Sequence, residues 1–206
     1  IGGIDAHEAL ALQAVFEESD VINVTVGWGD TLGPEAPHSF RCPPTPTEFT
    51  VLFIQKLLEF HPEAQRWALI SYDTPGMRDC YDEMYPYFEH MGLEWVAVEY
   101  FDFELQEFTP LMTQIMELDV DAIIPVSAGA QRGLLVKQGR EAGYEGLFVD
   151  LAPMAAEEIV GVAGEEFAEG YITAMVVTDG PQATPEAQAF YDRYISEYEE
   201  WGSNVL

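Results

Sequence analysis

Positive charge is scarce in this sequence. Its 206 residues include eight Lys and Arg residues against 37 Asp and Glu residues, which gives a formal net charge of −29 at pH 7. Proteins that bind nucleic acids or anionic membrane surfaces gain much of their affinity from basic residues, so neither partner is expected. The acidic residues are spread along predicted helices, which is typical of a solvated surface. A field that attracts cationic ligands is the alternative interpretation.

Cysteine and metal-binding patterns are scarce as well. Cys42 and Cys80 can form one disulfide bond if their Cα atoms lie within about 7 Å, or each can be a small buried residue. No CxxC pair occurs and the four histidines lack ligand spacing, so we expect neither a metal site nor a cofactor. The GxSxG, P-loop and GxGxxG motifs are also absent, so no local motif indicates an enzyme.

Long apolar runs are missing too. No run approaches the roughly 20 residues that a membrane-spanning helix needs. The sequence opens at Ile1-Gly2-Gly3 without the basic start of a signal peptide. We therefore expect that such a segment has been removed or that the sequence begins inside a longer protein.

Short strand-like runs and longer helical runs alternate along the chain. Residues 67–72 form a continuous apolar run, which is the pattern of a strand buried on both faces of a parallel sheet. The alternation predicts an α/β fold with a doubly wound parallel sheet. The predicted helices cover residues 7–19, 47–60 (with Thr47 as N-cap), 77–91, 105–118, 130–142, 155–161 and 185–200, and the predicted strands cover residues 21–26, 67–72, 94–101, 120–126, 146–150 and 170–177.

Five turns are candidates for a binding site, because ligands of open α/β sheets bind beyond the carboxyl ends of the strands. They lie at residues 2–7, 27–31, 71–76, 126–131 and 150–153. The candidate ligand-binding residues at these turns are Asp5, Ala6, His7, Trp28, Gly29, Asp30, Thr31, Tyr72, Asp73, Ser127, Ala128, Gly129 and Asp150.

Each candidate also has a purely structural interpretation. The ring of Trp28 can stack on a ligand or embrace a cation, or it can pack under the proline-rich segment 33–46. Asp30, Asp73 and Asp150 can pair with a ligand ammonium group, or they can serve as cap and turn residues. Arg132 is one of few cations near these turns and can meet a carboxylate, although a surface ion pair is the simpler interpretation.

Two strand–turn–helix units carry a resemblance to a known family. The first contains Leu69-Ile70-Ser71-Tyr72-Asp73-Thr74-Pro75-Gly76. The second contains Glu107-Phe108-Thr109-Pro110-Leu111-Met112, then Val120-Asp121-Ala122-Ile123-Ile124-Pro125-Val126, then Leu135-Val136-Lys137-Gln138-Gly139-Arg140-Glu141-Ala142-Gly143. Together they resemble the type I periplasmic solute-binding proteins of ABC transporters, the branched-chain amino-acid-binding family.

The resemblance implies a two-lobed domain organisation. Residues 1–41 would form part of a first lobe, residues 47–172 a nearly complete second lobe, and residues 182–206 a helix that returns to the first lobe. Residues 42–46 and 173–181 would be hinge crossings. The opening units of the first lobe and the end of a usual family member have no counterpart, so we expect a fragment.

The resemblance also implies a function. The protein would capture a small polar molecule, such as an amino acid, in an interlobe cleft for an ABC permease, in the periplasm or at the cell surface on a lipoprotein anchor. The family holds the ligand carboxylate on the first two turns and the ammonium group on the later ones. This chain departs from the family pattern at Asp5-Ala6-His7, Trp28-Gly29-Asp30 and Ser127-Ala128-Gly129. A sensory ligand-binding domain and an α/β hydrolase or transferase are the alternatives.

Overall fold

A computed structural model describes residues 12, 15–19, 21–25, 37–41, 45–127, 129–151, 156–174, 181 and 183–198. The strands are β1 (Asn23–Thr25), β2 (Ser39–Arg41), β3 (Arg66–Tyr72), β4 (Glu94–Phe101), β5 (Ala122–Val126), β6 (Leu147–Asp150) and β7 (Tyr171–Thr173). The helices are α1 at residues 15–19, α2 (Pro46–Phe60), α3 (Pro75–His90), α4 (Thr109–Met116), α5 (Gly129–Glu141), α6 (Ala156–Ala163), α7 (Glu165–Ala168) and α8 (Pro185–Tyr198).

Five parallel strands form the main sheet in the order β4-β3-β5-β6-β7. Successive side chains of a strand point to opposite faces, so Trp67 and Leu69 of β3 enter one core cluster while Ala68 and Ile70 enter the other. Helices α2 and α3 supply the first cluster, and helices α4, α5 and α6 supply the second. The predicted α/β fold with a parallel sheet covered on both faces is therefore confirmed.

The backbone pairing between β5 and β6 ends before the carboxyl ends of these strands. Strand β5 pairs with β6 at Ala122 with Leu147 and at Ile123 with Phe148. The pairing stops before Pro125, which has no backbone N–H to donate. The carboxyl ends of β5 and β6 are therefore joined by side chains rather than by backbone hydrogen bonds.

A second, two-stranded parallel sheet pairs Asn23 of β1 with Ser39 of β2. Strand β2 lies in the proline-rich segment 33–46, where the sequence predicted no strand. The three residues of β2 follow the last proline of the Pro34–Pro37 stretch and precede Pro43, which leaves them free to pair. Strand β1 is shorter than the predicted 21–26.

Helix α2 begins earlier than the sequence indicated. Its N-cap is Thr45 and not Thr47: the Thr45 hydroxyl accepts from the N–H of Glu48, and the Glu48 carboxylate accepts from the N–H of Thr45. This reciprocal pair is a capping box. Pro46 then occupies the first helical position, where its fixed φ suits the helix, and Thr47 is buried.

Other element bounds differ by a few residues from the predictions. Helix α3 begins at Pro75, with Thr74 as N-cap, and Gly92 follows its C-cap residue Met91 at φ 78°. Helix α4 begins at Thr109 and not near residue 105, because residues 102–105 form a turn in which Leu105 N–H donates to Asp102 O. Helix α7 was not predicted.

Candidate functional site

The carboxyl edge of the main sheet carries the described candidates. Because β3, β5 and β6 are parallel, Tyr72 and Asp73, Ser127, and Asp150 lie at the same edge. A cavity of about 40 Å³ lies there. Its lining includes polar or sulfur-bearing residues from five elements, namely Thr50 of α2, Ser71 of β3, Cys80 of α3, Arg132 of α5 and Asp150 of β6.

A buried ion pair joins the ends of β5 and β6. Arg132 Nη1 donates to Asp150 Oδ2 at 2.5 Å, and Arg132 Nη2 donates to the Ser127 carbonyl oxygen at 2.5 Å. Arg132 is 4% exposed and Asp150 is 1% exposed. The interpretation of Arg132 as half of a surface ion pair was therefore wrong. Asp150 is the partner of Arg132, so its charge is already balanced within the protein.

Tyr171 of β7 completes this group of residues. Its hydroxyl donates to Asp150 Oδ2 at 2.5 Å. Burial raises the pKa of the Tyr171 hydroxyl, and the negative charge of Asp150 raises it further. Tyr171 therefore stays protonated and can only donate to the carboxylate. We call Ser127, Arg132, Asp150 and Tyr171 the edge network.

Two polar atoms of the edge network have no partner among the described residues. They are the hydroxyl oxygen of Ser127, a residue that is 4% exposed, and Nε of Arg132. Both atoms are donors, and a buried donor without an acceptor is unfavourable. The edge network thus offers two hydrogen bonds that the described part of the chain does not use.

Asp73 has a different partner at the outer part of the edge. Arg78 of α3 binds both of its carboxylate oxygens, Nε to Oδ1 at 2.7 Å and Nη2 to Oδ2 at 2.9 Å. These hydrogen bonds lower the pKa of the Asp73 carboxyl. Arg78 also lies over the ring of Tyr100, with Cζ 4.0 Å from the ring centroid. Both members of the Asp73–Arg78 pair are about half exposed.

Tyr72 is held by the loop after β4 rather than by the sheet core alone. Its ring packs edge-on against Phe103, with centroids 5.5 Å apart. Gln131 of α5 fixes this loop because its amide Nε2 donates to the carbonyl oxygens of Phe103 and Leu105. The Oε1 atom of Gln131 is buried without a partner among the described residues. Tyr72 is therefore positioned beside the start of α5.

The remaining predicted residues have no described surroundings. Gly129 is the first residue of α5, and nothing is described around it. Eight predicted site residues lie outside the described residues, namely Asp5, Ala6, His7, Trp28, Gly29, Asp30, Thr31 and Ala128. Cys42 also lies outside them, and Cys80 is a buried residue of α3.

Sequence reasoning missed Tyr171 and Arg78. Tyr171 reaches Asp150 across 21 residues and Arg78 reaches Asp73 from the first turns of α3, so neither pairing has a local motif. The available signal was compositional, because an arginine that follows a strand end is uncommon in a chain with eight basic residues.

Within the part of the chain that the structure describes, no three His, Cys, Asp or Glu residues come together as metal ligands. None of the described helices has the length and apolar character to cross a bilayer.

The sequence matches the family model described as periplasmic binding protein over residues 1–204. The chain therefore belongs to the periplasmic binding protein family. The resemblance seen in the sequence is confirmed, and membership of a family of binding proteins confirms that the chain is not an enzyme. A search of curated proteins found no match.

Solved structures share the fold. The leucine-binding protein LivK from Thermotoga maritima has a TM-score of 0.78 and 19% identity, covering 97% of this chain and 57% of that one. LivJ of Streptococcus pneumoniae, a branched-chain amino acid transporter substrate-binding protein in complex with isoleucine, has a TM-score of 0.77, 20% identity and coverage of 97% and 57%.

An extracellular ligand-binding receptor from Rhodopseudomonas palustris HaA2 has a TM-score of 0.75, 21% identity and coverage of 92% of this chain and 54% of that one. At such identities the likeness shows the fold alone. The chain spans little more than half the length of these three proteins.

Proposed function

We propose that this protein captures a small polar solute, an amino acid or a related compound, and presents it to an ABC permease. The observation that carries this proposal is the cavity at the carboxyl edge, where residues from α2, α3, α5 and three strands converge. Ligand sites of open α/β sheets lie at this edge. Two structurally similar proteins contain isoleucine and valine, which supports an amino acid as the first solute to test.

In this proposal the binding site has two walls. Tyr72, Asp73, Ser127, Asp150 and the turn at 128–129 form the wall of the second lobe. The turns of the first lobe form the opposite wall, with Asp5, Ala6 and His7 on one turn and Trp28, Gly29, Asp30 and Thr31 on the next. The two lobes close over the solute by rotation about the crossings at 42–46 and 173–181.

The proposed place of action is outside the cytoplasm. The description of the family supports a periplasmic protein, or one held at the cell surface by a lipid anchor. The net charge of −29 is unfavourable for direct adsorption to an anionic bilayer. Contact with the membrane would therefore depend on the permease or on the anchor.

A thermal-shift screen tests solute capture. The protein is heated with each of the proteinogenic amino acids, polyamines, betaines and small carboxylates. A solute at 100 times its Kd stabilises the folded state by about 2.7 kcal/mol, which raises Tm by several degrees. The absence of a thermal shift with every compound of the panel, with the protein shown to be folded, would contradict the proposal.

Two variants locate the binding site. Trp28→Ala should abolish the thermal shift, because its ring is the proposed contact from the first lobe. Phe60→Ala is the matched control, since Phe60 is 70% exposed at the opposite end of α2 from the cavity. Loss of the shift in both variants, or in neither, would contradict the placement of Trp28 at the site.

A further inference from the structure

Two buried hydrogen-bond donors of the edge network have no acceptor among the described residues. Ser127 and Arg132 are each 4% exposed, and neither Ser127 Oγ nor Arg132 Nε has a partner among the described residues. The two residues are already in contact, because Arg132 Nη2 donates to the Ser127 carbonyl oxygen. Buried donors are nearly always satisfied in folded proteins. Arg132 lines the cavity, and acceptor oxygens from outside the described chain would satisfy the two donors.

The charge around the cavity is already balanced. Among the described residues that line it, Arg132 and Asp150 are the charged ones, and they form a salt bridge. Asp73, a second acid of this wall that was predicted to receive an ammonium group, is bound by Arg78. A ligand ammonium group at this wall would therefore compete with Arg132 for Asp150 or with Arg78 for Asp73. A ligand acceptor oxygen would displace neither arginine.

The shape of a guanidinium group allows both interactions at once. Arginine has five N–H donors in a planar fork. Arg132 uses Nη1 for Asp150 and Nη2 for the Ser127 carbonyl oxygen, which leaves the Nε–H for a ligand. A carboxylate is the acceptor that gives the strongest hydrogen bond to a cationic donor.

The overall charge of the protein restricts the ligand further. A ligand with a net negative charge would be repelled by a chain of net charge −29. A zwitterion carries a carboxylate without that net charge. The ligand class that fits both observations is therefore a carboxylate-bearing molecule of zero net charge.

We propose that Ser127 and Arg132 bind the carboxylate of a zwitterionic ligand, so that the second lobe recognises the carboxylate and not the ammonium group. This proposal rests on the proposed function, since it assigns the ligand class of the same site. It reverses the orientation that the resemblance to the family implied. Asp150 and Tyr171 act as positioning residues that hold Arg132 in place.

Matched ligands test which group is recognised. The amino acid that gives the largest thermal shift is compared by calorimetry with the amine that lacks its carboxylate and the acid that lacks its ammonium group. For leucine these are isopentylamine and 4-methylpentanoate. We expect removal of the carboxylate to weaken binding at least 100-fold and more than removal of the ammonium group. Equal binding of the amine, or a shift with polyamines alone, would overturn this inference and leave solute capture standing.

Ser127→Ala tests the residue directly. The Ser127 hydroxyl has no partner among the described residues, so a purely structural role predicts no change in Kd. A ligand contact predicts about tenfold weaker binding of the amino acid, the usual effect of losing one hydrogen bond to a charged group, with Tm of the unliganded protein unchanged. Ser196→Ala is the control, because it removes an exposed hydroxyl from α8.

Arg132→Lys supplies a second readout. Lysine keeps the positive charge beside Asp150 but cannot place three donors in one plane. We expect weaker binding of the amino acid while its amine analogue is unaffected. An unchanged Kd in Ser127→Ala, or an equal loss for the amino acid and the amine in Arg132→Lys, would overturn the assignment. No thermal shift with any solute would instead refute the proposed function, and the inference with it.

Discussion

Arg132 and Asp150 carry opposite charges with almost no exposure to water, 4% and 1% respectively. Removing a charge from water is costly, and in a buried pair each charge offsets the cost of the other. Asp73 and Arg78 make a similar bidentate contact, yet both are about half exposed. The chain thus contains two carboxylate–guanidinium pairs of similar geometry and very different burial, which allows a direct comparison.

Asp150→Asn should lower the free energy of unfolding by about 3 kcal/mol, because it leaves the Arg132 charge buried without a counter-charge. Asp73→Asn should lower it by less than about 1 kcal/mol, since water and salt already screen an exposed pair. Urea denaturation at pH 7 measures both. Similar losses in the two variants would mean that burial does not decide the contribution of these pairs.

At this scale the sequence supported part of the site. Ser127, Asp73 and Asp150 could be selected because each lies where a predicted strand ends. The partner of each acid could not be selected, because Arg132 meets Asp150 across 18 residues and two elements. Burial of an arginine depends on what packs around it, and the pattern Gln131-Arg132-Gly133 at a helix start gives no indication of that packing.

Close packing of helix α5 depends on two residues without side chains. A Cβ atom at Gly133 would lie 2.6 Å from Val162 Cβ of α6, and one at Gly139 would lie 2.8 Å from Phe148 Cζ. Val162 Cβ is attached directly to the backbone and cannot rotate away. By contrast, Gly161 of α6 has open space where its Cβ would be. The two helices therefore offer a matched pair of glycines, one inside their interface and one facing away from it.

Gly133→Ala should lower the free energy of unfolding by about 1–3 kcal/mol, because α5 and α6 must separate to admit the methyl group. Gly161→Ala should raise it by about 0.5–1 kcal/mol, because alanine favours the helix and meets no neighbour. Thermal and urea unfolding of the two variants check the signs. A stabilised Gly133→Ala would show that the helices do not touch as described.

Element prediction succeeded where packing and pattern agree. Strand β4 was predicted at its exact bounds, because Gly92 ends the helix before it and Asp102 begins a turn after it. Strand β2 was missed because three residues are too short for a periodic signal. The start of α2 was misplaced because Thr45 and Thr47 flank a proline, and the choice depends on which hydroxyl reaches Glu48.

The stability of the whole molecule should fall in alkaline solution. Burial raises the pKa of Tyr81 to about 12, and it also raises the pKa values of Tyr144 and Tyr171. The folded state therefore holds protons that the unfolded chain releases near pH 10. Stability from these groups is complete below pH 10 and is lost as the pH rises from there toward the folded pKa values.

Urea unfolding between pH 8 and pH 11.5 tests this prediction. We expect a constant free energy of unfolding below pH 10 and a decline above it, with a shallower decline in Tyr144→Phe. Lysines titrate in the same range, but the chain has only Lys56 and Lys137, so they add little to the slope. A flat curve to pH 11.5 would refute the assignment of buried tyrosines.

Added salt should raise the stability of the whole molecule, whereas alkaline solution lowers it. A net charge of −29 repels itself most strongly in the compact state. Raising KCl from 0.1 M to 1 M shortens the screening length from about 10 Å to about 3 Å. We expect Tm to rise over this range, and more than it does for the same protein at pH 4.5, where many carboxylates are protonated. A constant Tm would mean that bound counter-ions already cancel the repulsion.

The fold as a whole was more predictable than any residue of the site. The alternation of strands and helices predicted a parallel sheet covered on both faces, and residues 67–72 predicted β3, a strand buried within it. The order β4-β3-β5-β6-β7 follows from chain-wide packing of these helices and has no counterpart in a local pattern.

Cys80 can serve as a chemical probe of the cavity. The Cys80 side chain is 8% exposed and lines the cavity beside Arg132 and Asp150, so an alkylating reagent in solution has little access to it. Modification must therefore wait for α3 to move away from the sheet edge, and such openings have their own free energy, below that of global unfolding. With Cys42 replaced by alanine, the rate at which iodoacetamide labels Cys80 measures how often that opening occurs. A bound solute should lower this labelling rate.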